Sequence, residues 1–247
     1  MSDYDCTLER RSDHEPALRL GLRLVNGLSR VAAARIVTAR HQQPFVNTHD
    51  LAQRAALNRR DLAALAAANA LVDIAGHRRA ARWQVAGVEA TLPLVPAQAV
   101  RESVIEFARQ SEGEELVEDY ASVGLTLGRH PLALLRDRLQ DYRCSRELQT
   151  LRHGSAVQIA GLVICRQRPG SASGVIFVTL EDETGVANII VWRSLAERQR
   201  RELLQAQLLA VSGELQREGE VIHVIAHRLH DHSHLLGRLV TASRDFH

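Results

Sequence analysis

The chain has 247 residues, 45% hydrophobic and 24% charged, which is enough for more than one packed unit. Its formal net charge of +2 excludes the strongly basic class of nucleic-acid binders, although its positive charge comes from arginine, the residue suited to bidentate phosphate contact. Cys6, Cys144 and Cys165 form no CxxC pair, which argues against a zinc site or disulfide framework and for a reducing cytosol; no apolar run is long enough for a membrane span, so a cytoplasmic location without a membrane partner is expected.

Residues 1–16 are a polar lead-in without a clear element. Residues 17–80 read as short helices. Asn26-Gly27 breaks the first pattern, and Ser29 caps a helix running through Arg40. After a break at Pro44, Thr48 caps a helix over Asp50 to Ala56. Asn58 caps the next, Arg59 to Ala68, and Leu71 to Ile74 close the unit. Two stretches, Leu24 to Val37 and Ala55 to Leu65, share a plan of helix, tight turn and helix, with Ala33, Ala34, Ala63 and Ala64 allowing close packing. That is the plan of a helix-hairpin-helix unit. Unpaired N–H groups in the turn and in the first turn of the following helix can take a phosphate, without reading sequence. Asn26, Gly27, Leu28 and Ser29 are the candidate duplex-phosphate contacts, and Arg30, Arg35, Arg40, Arg59 and Arg60 add charge. The alternative is an ordinary helical bundle around an alanine-rich core.

Residues 81–150 read as a linker followed by a helical connector. Ala81 to Val100, with Pro93 and Pro96, is the linker, and the acidic run Glu112 to Glu118 reads as a solvated helix face. His130-Pro131 opens a helix through Leu139, with Pro131 suited to its first turn. His130 has no nucleophile or carboxylate partner at useful spacing, so capping or packing is its expected role.

Residues 151–235 change to a strand-like period. A strand over Ala156 to Arg166 leads into a basic, glycine-containing loop, Arg166 to Gly174. Strands Val175 to Leu180 and Val186 to Trp192 flank the turn Glu181-Asp182-Glu183-Thr184-Gly185, whose carboxylates read as solvated. A helix Leu195 to Leu204 and strands Leu208 to Gln216 and Val221 to Leu229 follow. Five strands with a helix between the third and fourth is the order of an oligonucleotide-binding (OB) barrel, which binds single strands by stacking bases on aromatic rings and tracking the backbone with basic residues. Alternation puts Ile176, Val178 and Leu180 inward, and Phe177 and Trp192 outward. Phe177 and Trp192 are thus the stacking candidates, and Arg166, Arg168, Arg193 and Arg228 the backbone candidates. His223, His227, His230, His232 and His234 form the densest histidine cluster, for which metal binding is conceivable, but no cysteine lies near. Residues 236–247 read as a tail. The expected fold is α+β and multidomain: a helix-hairpin-helix unit, a helical connector and a five-stranded OB-type barrel.

The stretch RQRPGSASGVIFVTLEDETGVANIIVW (Arg166 to Trp192) resembles the OB segment of the error-prone, second type of bacterial DNA polymerase III alpha subunit, a C-family DNA polymerase. SDYDCTLE (Ser2 to Glu9), LRLGLRLVNGL (Leu18 to Leu28), GLTLGRHPLALLR (Gly124 to Arg136) and SRDFH (Ser243 to His247) resemble further segments of its C-terminal region, in the same order. The resemblance implies a nucleotidyltransferase used in lesion bypass during the SOS response. It also implies partners: primer–template DNA, single-stranded template, translesion accessory proteins and, through them, the sliding clamp. The aspartate-based, two-metal active site with its Mg2+ would lie in a palm domain upstream, so no catalytic residue, metal or cofactor is carried over to this stretch, which by itself is expected to bind DNA without polymerising. The competing reading is a protein-interaction module that docks polymerase accessory proteins, with Phe177 and Trp192 meeting protein rather than bases.

Overall fold

The computed structural model describes residues 2–10, 16–88, 107–170 and 174–239, and the backbone of Arg244–Phe246. The chain divides into two compact units, residues 1–126 and 127–247. Among the described residues no helix is long and apolar enough to cross a membrane.

The first unit opens with a small antiparallel pair, β1 (Thr7–Glu9) and β2 (Ala17–Arg19), where the sequence suggested a featureless lead-in and the start of a helix. The Arg19–Glu9 ion pair clamps it, and the Leu22 and Arg23 amides donate to the carbonyls of Asp3 and Tyr4 at 2.8 and 3.0 Å. Helices follow: α1 (Arg30–Gln42), α2 (Thr48–Arg54), α3 (Arg59–Ala67), α4 (Val72–Ala75), α5 (Arg78–Ala86) and α6 (Glu112–Ser122). Ser29 and Asn58 cap α1 and α3 as expected, by accepting the Ala32 and Asp61 amides. The cap of α2 is Asn47 rather than Thr48: the Asn47 side chain accepts the Asp50 amide at 2.8 Å, and Thr48 is buried. Ala33, Ile36, Leu51, Leu62, Leu65 and Leu71 belong to one core.

Two further expectations fail in this unit. The linker reading of Ala81 to Val100 fails at its start, where Ala81 to Ala86 belong to α5 and Ala81 and Val85 are core residues; residues 89–100, with Pro93 and Pro96, lie outside the described residues. The acidic run is not a solvated face. Arg78, whose side chain is fully buried, pairs with Glu115 and Asp119, while Arg82 pairs with Glu118 and Arg79 with Glu114. A ladder of opposite charges therefore joins α5 to α6. Helix α6 is started by a capping box between Ser111 and Glu114.

In the second unit, α7 (Pro131–Leu135) is capped by His130, whose ring accepts the Leu132 amide at 3.1 Å. A 3-10 turn at Arg136–Arg138 ends this helix before Leu139. The barrel is built from β3 (Ala156–Gln167), β4 (Ile176–Asp182), β5 (Gly185–Val191), β6 (Leu208–Glu218) and β7 (Val221–Asp231). Its order is β4-β5-β7-β6-β3, and β3 pairs back onto β4, closing the circle. Strand β3 does this by pairing with β6 through Ala156–Leu162 and with β4 through Leu162–Gln167. Gly161 sits at the crossover, where a Cβ would stand 2.7 Å from the Leu180 Cβ; only a residue without a side chain lets the strands pass so close. The single helix expected after β5 is two short ones, α8 (Arg193–Arg198) and α9 (Arg200–Gln205), broken at Gln199. Gln199 instead exchanges hydrogen bonds with the backbone of Leu229, at 2.9 Å in each direction. The C-terminal residues are more than a tail, since Arg244–Phe246 form β8, parallel to β3.

The turn carboxylates of the β4–β5 hairpin are not solvated either. Asp182 is buried and accepts from the Ser145 amide and hydroxyl, the Thr184 amide and hydroxyl, and the Gly185 amide. Burial alone would raise its pKa. The hydrogen bonds from Thr184 and Ser145 outweigh that and hold the carboxyl below its ordinary range. Glu183 is likewise taken by Arg136, through two bonds of 2.7 Å.

Candidate nucleic-acid interface

The first hairpin is built on a 3-10 turn, Leu22–Leu24, rather than a full helix, followed by the turn at 25–29 and then α1. Gly27 has φ +85°, a left-handed conformation that glycine adopts without strain, and it lets the chain enter α1 at once. Asn26 does not serve as a phosphate donor: its amide N–H gives 2.8 Å to the Ser122 carbonyl and its side chain gives 3.0 Å to that of Ala121. It ties the turn to the last residues of α6. Gly27 and Ser29 are exposed and Leu28 is half-buried. The Ser29 oxygen accepts the Ala32 amide and keeps its O–H to donate; together with the first-turn amides of Arg30 and Val31, which have no intrahelical acceptor, it is open to an anion.

Arg30 and Arg35 are exposed on α1, on a face with Val31, Ala34 and Thr38 that lines a groove of about 520 Å³. Arg54 walls one end, with its guanidinium held by the carbonyls of Ala39, Gln43 and Pro44. Sequence reading missed Arg54, and the only signal for the groove was the helical spacing of positions 30, 31, 34, 35 and 38. Arg40 is no free cation, because it donates to the Ser2 carbonyl and the Asp3 carboxylate. Arg59 and Arg60 are exposed in the first turn of α3, where cations oppose the helix dipole unless an anion lies between. The two hairpins meet: a Cβ on Gly27 would touch the Ala64 Cβ at 3.9 Å, and Ala64 lies one turn along α3 from Arg60.

On the barrel, Phe177 of β4 is opposite Ile190 of β5, which is opposite Ile225 of β7. Thr179, Asn188 and His223 form the next row. Cross-strand partners share a face, so these two rows make one outer surface three strands wide. Phe177 is 37% exposed and Trp192, just past β5, is 53% exposed, while Val178, Leu180, Ile189 and Val191 fill the interior. The outward placement of both rings therefore follows from the strand period. Arg168 and Arg228 are exposed. Arg193 is exposed, packs its stem against Gly174 and gives 2.7 Å to Glu197. Arg166 is a correction. Its side chain points to the inside edge, buried, and donates to the carbonyls of Leu203 (2.7 Å) and Ala206 at the end of α9. Satisfying those helix-end carbonyls is a structural task, so Arg166 does not face a strand of DNA. Of the basic loop, residues 171–173 lie outside the described residues. Among the described residues no group of three or more His, Cys, Asp or Glu is placed to hold a metal ion.

Residues 1–81 match the family of the helix-hairpin-helix motif, and residues 148–231 match the family of the OB-fold nucleic acid binding domain. Over its full length the chain is 56% identical to an error-prone DNA polymerase of Alkalilimnicola ehrlichii, 52% to one of Pseudomonas aeruginosa and 53% to one of Azoarcus sp.. It spans about a quarter of each of those proteins, 24% in all three cases. Two nucleic-acid-binding domains in this order, with about half of all positions identical from end to end, make the chain a homologue of the C-terminal region of error-prone DNA polymerases.

Proposed function

We propose that this chain is the DNA-engaging portion of an error-prone, C-family DNA polymerase that works in damage-induced translesion synthesis. The helical unit grips duplex phosphates through Gly27 to Arg30, Arg35, Arg59 and Arg60. The barrel guides single-stranded template across Phe177 and Trp192, with Arg168, Arg193 and Arg228 along the backbone. Nucleotidyl transfer with Mg2+ belongs to the whole polymerase, as do translesion accessory proteins and the sliding clamp as partners. The observation that carries the reading is the pair of exposed aromatic rings on the outer face of a closed barrel whose interior is already filled by aliphatic residues. Both rings keep exposed area on which a base can stack.

The test is direct titration of labelled oligonucleotides. Base stacking on an aromatic is worth about 1–3 kcal/mol, so Phe177→Ala should weaken single-strand binding roughly tenfold while leaving blunt duplex unaffected. The double variant Arg30→Ala, Arg35→Ala should do the reverse and flatten the salt dependence on duplex by about two ions. Duplex affinity unchanged by the arginine pair would sink the role of the helical unit. Absence of salt-sensitive single-strand binding, with capture of a polymerase accessory protein that Phe177→Ala abolishes, would favour the protein-docking reading of the same rings.

A further inference from the structure

The end of β7 and the 3-10 turn that follows it, Ser233–Leu236, carry a group of rings that the proposed strand path does not use. His230 and His232 stack with centroids 6.4 Å apart and planes 12° from parallel. His234 meets His232 edge-on at 6.0 Å, and Tyr142 meets it at 5.5 Å with its hydroxyl 2.8 Å from the His232 Nε2. Arg228 lies two positions before His230 on β7, hence on the same outer face, and is exposed. Among the described residues neither these rings nor any other three His, Cys, Asp or Glu are placed to hold a metal ion. What they do share is a capacity for positive charge at one spot.

At His232 that capacity is suppressed in the free protein. Burial holds the His232 ring below its ordinary pKa, and His234 and His230 oppose its protonation further. Only the Asp231 carboxylate favours the charged form, and it is already occupied by the amide and hydroxyl of Ser233. The residues of β6 opposite this end, Leu209 and Ala210, carry no charge, and the neighbouring segment offers Asp141 beside Tyr142. An anion set beside His232 would offset the repulsion that disfavours its charged form. The Tyr142 hydroxyl can donate to a neutral His232 or accept from a charged one, so protonation breaks no hydrogen bond.

We infer that His230, His232, His234 and Tyr142, with Arg228 beside them, form a phosphate-binding patch for single-stranded nucleic acid that takes up protons as the strand binds. The patch extends the barrel face of the proposed function and rests on that reading. From Ile225 to His230 the distance along the strand is about 17 Å, so a strand lying on Phe177 would need several nucleotides to reach it. A phosphate on the patch favours the charged form of His232, so affinity rises as pH falls.

The experiment measures the Kd of the full chain for a labelled oligodeoxythymidylate of about twenty nucleotides at constant ionic strength, near pH 8 and near pH 6. Uptake averaging about half a proton per bound strand between these two pH values predicts an affinity gain of roughly tenfold. The triple variant His230→Gln, His232→Gln, His234→Gln should lose most of that gain, while His227→Gln, elsewhere on β7, should keep it. His234 is exposed, so the single variant His234→Gln, expected to fold, should lose part of the gain and covers the case of a triple variant that does not fold. A gain that persists in His234→Gln and the triple variant, or that vanishes only with His227→Gln, overturns the patch and leaves the barrel reading standing. No binding at either pH overturns both. Inorganic phosphate that abolishes the gain at low millimolar concentration, without weakening binding near pH 8, would instead mark a site for free phosphate and overturn its assignment to the strand.

Discussion

Single residues set the limits of what this chain can do, and Asp182 is the clearest case. Five donors converge on one buried carboxylate, welding the β4–β5 turn to the 3-10 turn at Ser145–Thr150. The folded pKa is depressed, so its contribution is complete above the unfolded value, near 4, and is lost as pH falls through the lower folded value. Barrel stability should therefore fall on the acid side of about pH 4, and the variant Asp182→Asn should already have lost that part of the acid dependence. At neutral pH Asp182→Asn should cost on the order of 3 kcal/mol, because an amide cannot accept all five bonds. Urea unfolding near pH 7 and near pH 3 checks both statements, and a variant whose stability falls with acid as steeply as the parent's would refute the assignment. Nothing in the sequence distinguished Asp182 from Glu181 or Glu183. Its partner Ser145 is 37 residues away, and only the fold brings the two together.

At the scale of elements, local signals were legible and distant charge pairing was not. The caps at Ser29 and Asn58, the strand period of β4 and β5 and the outward rings each depend on neighbours within a few positions. The acidic face of α6 depends on Arg78, Arg79 and Arg82, which lie 35 to 41 residues away, so each half of the ladder read as solvated charge. The buried arginine Arg166 was misread for the same reason, since its carbonyl partners are 37 and 40 residues downstream. The ladder has unequal rungs. Arg82–Glu118 and Arg79–Glu114 are partly exposed and should contribute less than about 1 kcal/mol each. Arg78 is buried with its Nε unpartnered, so Arg78→Ala should cost about 3–5 kcal/mol by stranding Glu115 and Asp119. The triple variant Arg78→Met, Glu115→Gln, Asp119→Asn should recover most of that loss. Chemical denaturation measures both, and an Arg78→Ala loss no larger than that of Arg82→Ala would show that the ladder does not hold α6.

For the whole molecule, the decisive question is whether the two units act on one DNA. Each offers a modest site: an arginine-lined groove with a hairpin turn in one, two exposed rings with scattered arginines in the other. A net charge of +2 gives little general attraction, so neither site gains much from the field of the protein as a whole. Covalent connection changes this arithmetic. Once one unit holds DNA, the second meets its own segment at an effective concentration in the millimolar range, if the DNA presents both segments at a reachable spacing. A duplex with a single-stranded extension should then bind at least tenfold tighter than the better of blunt duplex and free single strand. Its salt slope should approach the sum of their two slopes, because both sets of counterions leave together. Titration of the three DNA forms at two salt concentrations measures affinity and slope at once. An extended duplex that binds no tighter than blunt duplex, with the same slope, would mean that the units hold separate ligands, and the grip-and-guide reading of the pair would fail even with each single site intact.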